Sequence, residues 1–399
     1  MTTTMPHANG NKTFFGQFVF PETGTLERGN LTVENGHITH FAAADHALDD
    51  ATVLEGYVTP GLIDAHVHIC LDGSADPVSN LMRWSVIERT LHAQRHLKQQ
   101  LAKGVTTVRD LGGPDNLAIT LANAVETGLL VSPRIITSGH NITMTGGHGY
   151  AFGHEADGVE GVRAAARDEL KRGAHLLKFM ATGGVVTKGV KAGAEAFTEA
   201  EMRAGIEEAH KAGKHTAAHA QGIAGISNAL RAGIDTIEHG AFDHWSDEAL
   251  DLLQRRFLVP TLAAPDAIIE GASHIPAWIV EKTAPILEMH QRNTHEAWQA
   301  GVPIVAGSDA GTPLNHHGRL IDELRLLHAL GLSLLEVLQA TTSTAAKAIR
   351  LEGQVGTLQT GAHADLAVWQ QNPLEQFAYD HLQTVYVAGE MVSDAVLEA

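Results

Sequence analysis

The sequence lacks the features that define several common protein classes. Its 399 residues include a single cysteine, Cys70, which excludes an internal disulfide framework and a cysteine-rich zinc module and suits a reducing compartment. It has no run of about 18 apolar residues, and its first residues form neither a basic nor an apolar signal region. We therefore expect a soluble, cytoplasmic protein with no membrane partner.

Positive charge is also scarce. There are 28 Lys and Arg residues against 46 Asp and Glu residues, and the formal net charge is −18, which disfavours binding to nucleic acid or to an anionic membrane. Hydrophobic residues make up 44% of the chain, enough to bury a large core. The one abundant chemical group is imidazole, because the chain has 25 histidines.

The two ends of the chain have the composition of short antiparallel strands. FFGQFVF and LTVENGHITHF alternate with turn signals near the start, and GTLQTGAHADLAVW and TVYVAGEMV do the same near the end. The middle of the chain has a different pattern. We predict a small β-sandwich domain built from residues 1–58 and 352–399, with a second domain over residues 59–351.

Residues 59–351 alternate short apolar strands with amphipathic helical segments such as Asn80–Lys103, Gly158–Arg172, Thr198–Ala212 and Trp278–Ala300. The strand candidates are GLIDAHVHI, VTTVRDLG, RIITSGHNI, HLLKFMATGG, HTAAHAQG, DTIEHG, FLVPTLAA and PIVAGSDAG. Eight βα units in about 290 residues match the size of a (β/α)₈ TIM barrel. A doubly wound sheet would need a glycine-rich phosphate turn after its first strand, and that turn is missing.

Polar side chains stand where several of these strands end. His66 and His68 are two residues apart on the first strand, so both imidazoles can converge on one cation. Later strands end in Lys178, His219, His239 and Asp309. Each has an ordinary alternative, such as a helix N-cap for Asp309. The carboxyl ends of barrel strands meet on the face where active sites form, so together these residues predict a site there.

Several of these segments resemble those of the amidohydrolase superfamily. GLIDAHVH, LLKFMATGG, AHA, IEHG and GSDAG occur in the order typical of that superfamily. TTVRDLGG, TGGHG, KFMATGGV and HGRLIDELRLL make the chain most similar to its prolidase-like and imidazolonepropionase-like members. The resemblance covers nearly the whole chain. Its lysine on the fourth strand is typical of members with two metal ions, which disfavours an imidazolonepropionase proper.

The resemblance implies a role for each residue at the strand ends. His66, His68 and Asp309 would hold one divalent ion, His219 and His239 the other, and Lys178, carboxylated to a carbamate, would bridge both. Zinc is the expected metal because nitrogen-rich ligation with carboxylate suits it. Asp309 and His239 would be catalytic. Asp309 would orient a metal-activated hydroxide, accept its proton and pass the proton to the leaving nitrogen.

Four residues near the predicted mouth are candidates for binding the substrate: His140, His148, Tyr150 and His317. Strand five reads HAQG where HAHG is common in the family, so Gln221 replaces a histidine. The loop VVTKGVKAG after strand four has glycines that suit the hinges of a lid. The change at Gln221 concerns the choice of substrate rather than hydrolysis.

We expect a hydrolase of an amide bond in a small peptide or N-acyl amino acid. Examples are an Xaa-Pro or Xaa-basic dipeptide and an aromatic N-acyl amino acid, including a toxin of that type. Hydrolysis of a cyclic amide, lactone or heteroaromatic amine would use the same metals and stays open. A non-catalytic assembly protein is disfavoured because such relatives are expected to lose ligands. The substrate is the expected partner, and a homo-oligomer is compatible with the sequence.

Overall fold

The computed structural model describes residues 10–376 and 381–393, and the remaining parts of the predicted terminal segments lie outside these ranges. Its strands are β1 (Asn11–Phe20), β2 (Thr25–Glu34), β3 (His37–Ala43), β4 (Thr52–Pro60), β5 (Leu62–Val67), β6 (Val105–Asp110), β7 (Arg134–Thr137), β8 (Asn141–Thr143), β9 (Gly153–Glu155), β10 (Leu176–Met180), β11 (His215–Ala220), β12 (Thr236–His239), β13 (Phe257–Val259), β14 (Leu366–Trp369), β15 (Leu382–Val387) and β16 (Glu390–Met391). Its helices are α1 (Pro77–Arg83), α2 (Val86–Leu101), α3 (Leu117–Glu126), α4 (Gly158–Arg172), α5 (Glu199–Lys211), α6 (Ile223–Ala232), α7 (Asp247–Leu253), α8 (Ala263–Glu270), α9 (Ala277–Thr283), α10 (Leu287–Gln299), α11 (Leu320–Ala329), α12 (Leu334–Ala340) and α13 (Ser343–Ala348).

Strands from both ends of the chain share one seven-stranded mixed sheet, in the order β16-β15-β14-β4-β1-β2-β3. Strand β1 pairs antiparallel with β2 and parallel with β4, and β4 pairs antiparallel with β14. Phe14, Phe18 and Leu366 belong to a buried apolar cluster of this sheet. The two ends of the chain therefore meet through β4 and β14. Strand β4 runs to Pro60, two residues beyond the predicted boundary.

The middle of the chain is an α/β unit with parallel sheets. Strands β5, β6 and β7 form one sheet, and a second sheet has the order β13-β12-β11-β10-β8-β9. Helices alternate with these strands, so the arrangement is TIM-barrel-like and the predicted α/β class is confirmed. The predicted eighth strand, PIVAGSDAG, pairs only through single bridges, from Ile304 to Leu258 and from Ala310 to Val67.

The parallel strands that carry the site are buried along their whole length. Every residue of β5, β6, β10, β11 and β12 is buried. Parallel strands covered by helices are expected to be buried on both faces, and this explains their apolar sequences. The polar residues on them are therefore exceptions that need partners inside the protein.

The helical patterns in the sequence correspond to observed helices, with two breaks. Helix α4 has the predicted bounds, Gly158–Arg172. The pattern over Asn80–Lys103 corresponds to two helices, because Ser85 starts α2 with a capping box. The pattern over Trp278–Ala300 is divided near Pro285, which lies in a short 3₁₀ turn between α9 and α10. Within the described ranges, no helix is both long and apolar enough to span a bilayer.

Candidate active site

The carboxyl ends of the parallel strands open into one cavity of about 370 Å³. Its lining includes every residue that the sequence placed at strand ends: His66, His68, Lys178, His219, His239 and Asp309. Each of these residues is at most 7% exposed. The structure therefore brings together, in one buried place, side chains that are separated by up to 243 positions in the sequence.

Three of these side chains form a compact group of metal-binding atoms. Nε2 of His66 lies 3.4 Å from Oδ1 of Asp309, and Nε2 of His68 lies 3.5 Å from the same oxygen. Among the described residues, neither His66 Nε2 nor Asp309 Oδ1 has a hydrogen-bond partner, although both atoms are buried. An unpaired buried polar group costs about 1–3 kcal/mol. These atoms therefore fit a divalent ion that would coordinate them.

The other two imidazoles stand on neighbouring strands beside this group. The ring centroids of His219 and His239 are 4.5 Å apart, and that of His239 is 5.1 Å from that of His66. Lys178 belongs to β10, which pairs with the strand of His219. Burial lowers the pKa of the Lys178 ammonium below its ordinary value. One more imidazole, that of His148, lies with its ring centroid 4.3 Å from that of His219.

Burial sets the charge state of the imidazoles. It lowers the pKa of His68 to about 4, and it lowers the pKa values of His66, His219 and His239 well below the ordinary value. These four side chains are therefore neutral near pH 7. A neutral imidazole has the free lone pair that binding of a metal requires. Burial also raises the pKa of the Asp309 carboxyl.

Each of these imidazoles is fixed by a hydrogen bond at one ring nitrogen. The contacts are Nδ1 of His66 with the Glu238 carboxylate (2.8 Å), Nδ1 of His68 with the Gly112 carbonyl (3.0 Å), Nδ1 of His239 with the Thr261 hydroxyl (2.7 Å) and Nε2 of His219 with the Gly183 carbonyl (3.4 Å). The second nitrogen of each ring is then left for another ligand. Such hydrogen bonds set the tautomer and the orientation of an imidazole.

A buried ion pair supports His66. Oε1 of Glu238 accepts a hydrogen bond from Nη2 of Arg109 at 2.8 Å, and neither side chain is exposed. Nε of Arg109 also donates to the carbonyl of Ala65, 2.5 Å away, next to His66 in the chain. The guanidinium balances the carboxylate charge inside the protein, while the other carboxylate oxygen accepts the hydrogen bond of the imidazole.

The backbone is left-handed at three residues of the cavity, His239 (φ 72°), Thr261 (φ 54°) and Asp309 (φ 54°). This conformation costs a non-glycine residue about 1–3 kcal/mol and is often found at functional sites. At the end of β12, the left-handed backbone changes the face to which a side chain points. Neighbouring side chains on a regular strand point to opposite faces, yet Glu238 and His239 both lie beside the His66 imidazole.

The rest of the cavity is largely apolar. Its wall includes Val78, Phe152, Val186, Phe242, Ile268, Trp278 and Ile279. Much of this wall comes from α8 and α9, which follow β13. Gln221 lies among these residues and is 4% exposed. A cavity with one polar end and one apolar wall suits a small molecule that has both polar groups and a bulky apolar part.

Two of the four residues predicted to bind substrate line this cavity. Nδ1 of His148 lies 2.7 Å from the hydroxyl of Thr187, a residue of the loop after β10. Tyr150 is 53% exposed and lines the same cavity. The glycine-rich turn TGGHGY therefore carries both groups to the mouth.

The structure places the other two, His140 and His317, against different partners, and neither is among the described residues that line the cavity. Nδ1 of His140 is 3.2 Å from the Glu169 carboxylate on α4. Nε2 of His317 donates to the carbonyl of Leu71 at 2.9 Å, and its ring stacks on His96 at 4.4 Å. Both positions follow strand ends, but these local partners hold the side chains elsewhere. Their positions give no support to contact with substrate.

The sequence of residues 57–392 matches the Amidohydrolase family. The chain belongs to the amidohydrolase family. This confirms the superfamily inferred from the strand-end motifs, and the protein is a hydrolase that acts on amides. This amidohydrolase is 27% identical to the ochratoxinase of Aspergillus niger over 350 residues, which cover 79% of this chain and 70% of the relative.

Solved structures similar to this amidohydrolase include a prolidase and a Xaa-Pro dipeptidase. A prolidase complexed with N-methylphosphonate-L-proline has a TM-score of 0.88 and 31% identity, with 96% of this chain and 99% of that chain covered. A Xaa-Pro dipeptidase with methionine bound in its active site has a TM-score of 0.88 and 26% identity, covering 96% and 100%.

Sequence reasoning missed the residues that orient the imidazoles of this amidohydrolase. Glu238 and Arg109 are the clearest cases, and Thr261 is another. A signal was present for the first two, since each is a charged residue within a short buried strand. A buried charge needs a partner of opposite charge, so an ion pair between Glu238 and Arg109 could have been predicted from the sequence. Thr261 carried no comparable signal.

Proposed function

We propose that this amidohydrolase cleaves the amide bond of a small peptide or an N-acyl amino acid, and prefers a bulky apolar acyl group. The composition of the cavity lining supports the proposal. The six polar residues at the strand ends share their cavity with an apolar wall that includes Trp278 and Ile268. The ochratoxinase relative is consistent with such a substrate. The prolidase and dipeptidase structures favour a second candidate, an Xaa-Pro dipeptide.

We propose that the site holds two divalent ions, with zinc as the expected metal. His66, His68 and Asp309 would hold one ion, His219 and His239 the other, and a carbamate on Lys178 would bridge them. Neutral imidazoles and the unpaired buried atoms Nε2 of His66 and Oδ1 of Asp309 support this assignment. Bound there, the ions would supply Lewis acidity that activates water and polarises the scissile carbonyl.

The protein's own groups then have distinct tasks. Asp309, the proposed general base, accepts a proton from the attacking water and delivers it to the leaving nitrogen. His239, the other proposed catalytic residue, is held in place by the Thr261 hydroxyl. Glu238 and Arg109 keep His66 oriented.

The free carboxylate of an N-acyl amino acid needs polar partners at the mouth. His148 and Tyr150 line the cavity on one side, and Lys188 lies at its rim. We propose that these groups bind the carboxylate. The protein has a net charge of −18, so attraction of an anion must come from local groups.

We propose that the strands of residues 59–351 close into a (β/α)₈ barrel. Backbone hydrogen bonds that link separate sheets support it: His175 N to Thr137 O (2.8 Å), Val305 N to Leu258 O (2.9 Å) and Ala65 N to Ala306 O (3.0 Å). The separate apolar cluster of the terminal sheet supports a small β-sandwich domain from residues 1–58 and 352–399.

A substrate panel tests the proposal. Zinc-loaded enzyme is assayed with an N-benzoyl amino acid, the matching N-acetyl amino acid, an Ala-Pro dipeptide and a lactone. We expect kcat/KM to be about tenfold or more higher for the benzoyl than for the acetyl substrate, since burying an aromatic ring contributes about 1.5–3 kcal/mol. Trp278→Ala should reduce this preference. Trp84→Ala is the control, because Trp84 stacks on His92 outside the cavity lining.

Other results would contradict the proposed acyl preference. Turnover of Ala-Pro alone would favour the second candidate, and turnover of the lactone alone would favour the alternative reaction class. The carbamate has its own test. Lys178→Ala should lose most activity, and short carboxylic acids should restore part of it if they replace the bridging carboxylate. Full activity of Lys178→Ala would exclude a role for this residue as ligand.

A further inference from the structure

The chain makes a tight turn directly after strand β12. The N–H of Gly240 donates to the carbonyl of Glu238 at 3.0 Å, and His239, which lies between them, has a φ of 72°. A hydrogen bond that spans two residues defines a γ-turn, and the form with a positive central φ is rare and strained. His239, a proposed metal ligand, therefore has a backbone conformation that the surrounding structure must hold in place.

Helix α10 supplies a hydrogen bond to this turn. Nε2 of His290 lies 2.9 Å from the carbonyl oxygen of His239. A carbonyl oxygen can only accept a hydrogen bond, so Nε2 carries a proton and donates it. Burial lowers the pKa of His290 to about 4, although hydrogen bonds to backbone carbonyls act in the opposite direction. The ring is therefore neutral near pH 7, and its one N–H is the one that contacts the turn.

The surroundings of His290 fix the direction of this N–H. The side chain is 1% exposed, and its ring packs edge-on against Phe242 with the ring centroids 5.1 Å apart. Further along α10, Nδ2 of Asn293 donates to the carbonyl of Ala241 at 2.9 Å. Two side chains of one helix therefore bind the carbonyls of residues 239 and 241, in the segment that follows β12.

The geometry of the peptide group connects the His290 contact to the turn. The carbonyl of His239 and the N–H of Gly240 belong to the same planar peptide group and point in opposite directions. A donor that holds the carbonyl therefore also keeps the N–H directed at Glu238. Gly240 has a φ of 91°, and glycine adopts positive and negative φ about equally, so Gly240 itself does not prevent this peptide from rotating. Rotation would open the turn and move the His239 imidazole.

We propose that His290 is a positioning residue that holds the backbone of His239 so that its imidazole faces the proposed metal site. This inference rests on the proposed role of His239 as a metal ligand, but the effect of His290 on the turn can be measured without metal. His290 acts through the backbone of one ligand. Its loss should therefore weaken the ion that His239 and His219 would hold, and the other proposed ion should bind as before.

Hydrogen exchange of the metal-free protein tests the effect on the turn. Deuterium uptake over residues 236–243 is measured for full-length wild type, His290→Phe, His290→Gln and Thr294→Val. Phe keeps a flat ring without a donor, whereas the Gln amide places an N–H near the position of Nε2. We expect uptake to be about 3–10-fold faster in His290→Phe, because one hydrogen bond is lost, and close to the wild-type rate in His290→Gln.

Thr294→Val is the matched control. Thr294 is buried on the same helix and donates to the backbone carbonyl of His290 at 2.9 Å, so its loss weakens α10 without removing the donor at the turn. Equal uptake in His290→Phe and the wild type would overturn the proposal. Faster uptake that is equally large in strand β1 would also overturn it, because the effect would not be local. If His290→Phe does not fold, His290→Asn replaces it, since its amide is one methylene too short to reach the turn.

A zinc titration tests the effect on the proposed metal site. Competition with a chromophoric chelator should show that His290→Phe binds one of two zinc ions about 10–100-fold more weakly, with the other unchanged, and that His290→Gln restores the affinity. Equal weakening of both ions would overturn the positioning role. Absence of zinc binding by the wild type would contradict the proposed metal site instead, and the exchange experiment would then decide whether His290 holds the turn.

Discussion

Single residues at strand ends were the most predictable part of this protein. His66, His68 and Asp309 could be found because a barrel gathers the carboxyl ends of its strands, whatever the distance in sequence. Glu238 could not be found by the same argument. It precedes His239, and regular strand alternation would send the two side chains to opposite faces. The positive φ of His239 breaks this rule, and a backbone angle cannot be read from the sequence.

His140 and His317 are residues for which the strand-end argument predicts a place in the cavity that the structure does not show. Both follow the strand-end rule, and neither lies among the described lining residues of the cavity. A loop residue takes its direction from whichever partner lies nearest, here Glu169 for His140 and the Leu71 carbonyl for His317. These partners come from other parts of the chain. The direction of a loop side chain therefore depends on tertiary contacts that strand position does not define.

The Glu238 carboxylate holds Nδ1 of His66. Glu238→Gln keeps an oxygen near Nδ1 of His66 but removes the charge, so we expect zinc affinity at the catalytic site to fall about 10–100-fold. A chromophoric chelator measures the affinity by competition. The control is Glu248→Gln, which removes an exposed carboxylate paired with Arg231. Unchanged zinc affinity in Glu238→Gln would show that the carboxylate does not support the ligand.

At the scale of elements, the contacts between helices and loops complete the cavity. The loop after β10 is tied to helix α9 by one side chain. Nζ of Lys282 donates to the carbonyls of Thr187 (2.7 Å) and Val190 (2.6 Å). Thr187 in turn contacts His148 through its hydroxyl. The glycines of VVTKGVKAG suggest a lid from the sequence alone. The hydrogen bonds that hold this loop against α9 come from Lys282, about 90 positions further along the chain, and the local sequence does not indicate them.

We predict that Lys282→Met loosens this loop. Loss of both hydrogen bonds should raise KM about 3–10-fold with little change in kcat, since each net hydrogen bond contributes about 0.5–1.5 kcal/mol. Limited trypsin digestion should cut faster at Lys188 and Lys191, which lie in the loop. Lys211→Met, on the exposed face of α5, is the control and should change neither result. Equal cleavage rates in Lys282→Met and the wild type would show that the hydrogen bonds of Lys282 do not hold the loop in place.

Helix α8 depends on a carboxylate from another helix. Its N-cap position is Leu262, which has no side-chain cap, and Glu323 of α11 accepts the backbone N–H of Ala263 at 2.8 Å. Burial raises the pKa of Glu323 to about 8. A folded-state pKa above the unfolded one favours the folded protein at low pH. This contribution is complete below about pH 4.5 and is lost as the pH rises towards 8.

We therefore predict a pH-dependent difference between the wild type and Glu323→Gln. The amide keeps an acceptor oxygen but does not titrate, so the free energy of unfolding of the wild type should fall more between pH 5 and pH 8. Each pKa unit corresponds to about 1.4 kcal/mol, so the extra loss should be on the order of a few kcal/mol. Urea unfolding at several pH values measures it. Parallel pH curves would show that Glu323 is ionised in the folded protein throughout this range.

For the molecule as a whole, the order of strands and helices could be predicted from the sequence, but the contacts that connect the sheets could not. Alternating periodicity identified the α/β class, and the β-rich ends indicated a shared terminal sheet, which β4 and β14 join. The eighth predicted strand is irregular. Asp309 adopts a positive φ within it, and Ser308 bonds back to Asp64 on β5 through its N–H (2.9 Å) and its hydroxyl (2.5 Å). These hydrogen bonds to the Asp64 side chain replace part of the backbone hydrogen bonding of a regular β-strand.

The proposed ligands stand on β10, β11 and β12, on β5 and just after it, and in the segment around Asp309. Bound ions would therefore tie together strands from both parallel sheets. A ligand at 100 to 1,000 times its Kd stabilises the folded state by about 2.7–4.1 kcal/mol per site, so removal of metal should lower the Tm by several degrees. Thermal unfolding before and after chelation measures the shift. In Lys178→Ala the shift should be much smaller, because the proposed bridging ligand is gone. If chelation lowered the Tm of Lys178→Ala as much as that of the wild type, the stabilising ions would lie outside the strand-end site.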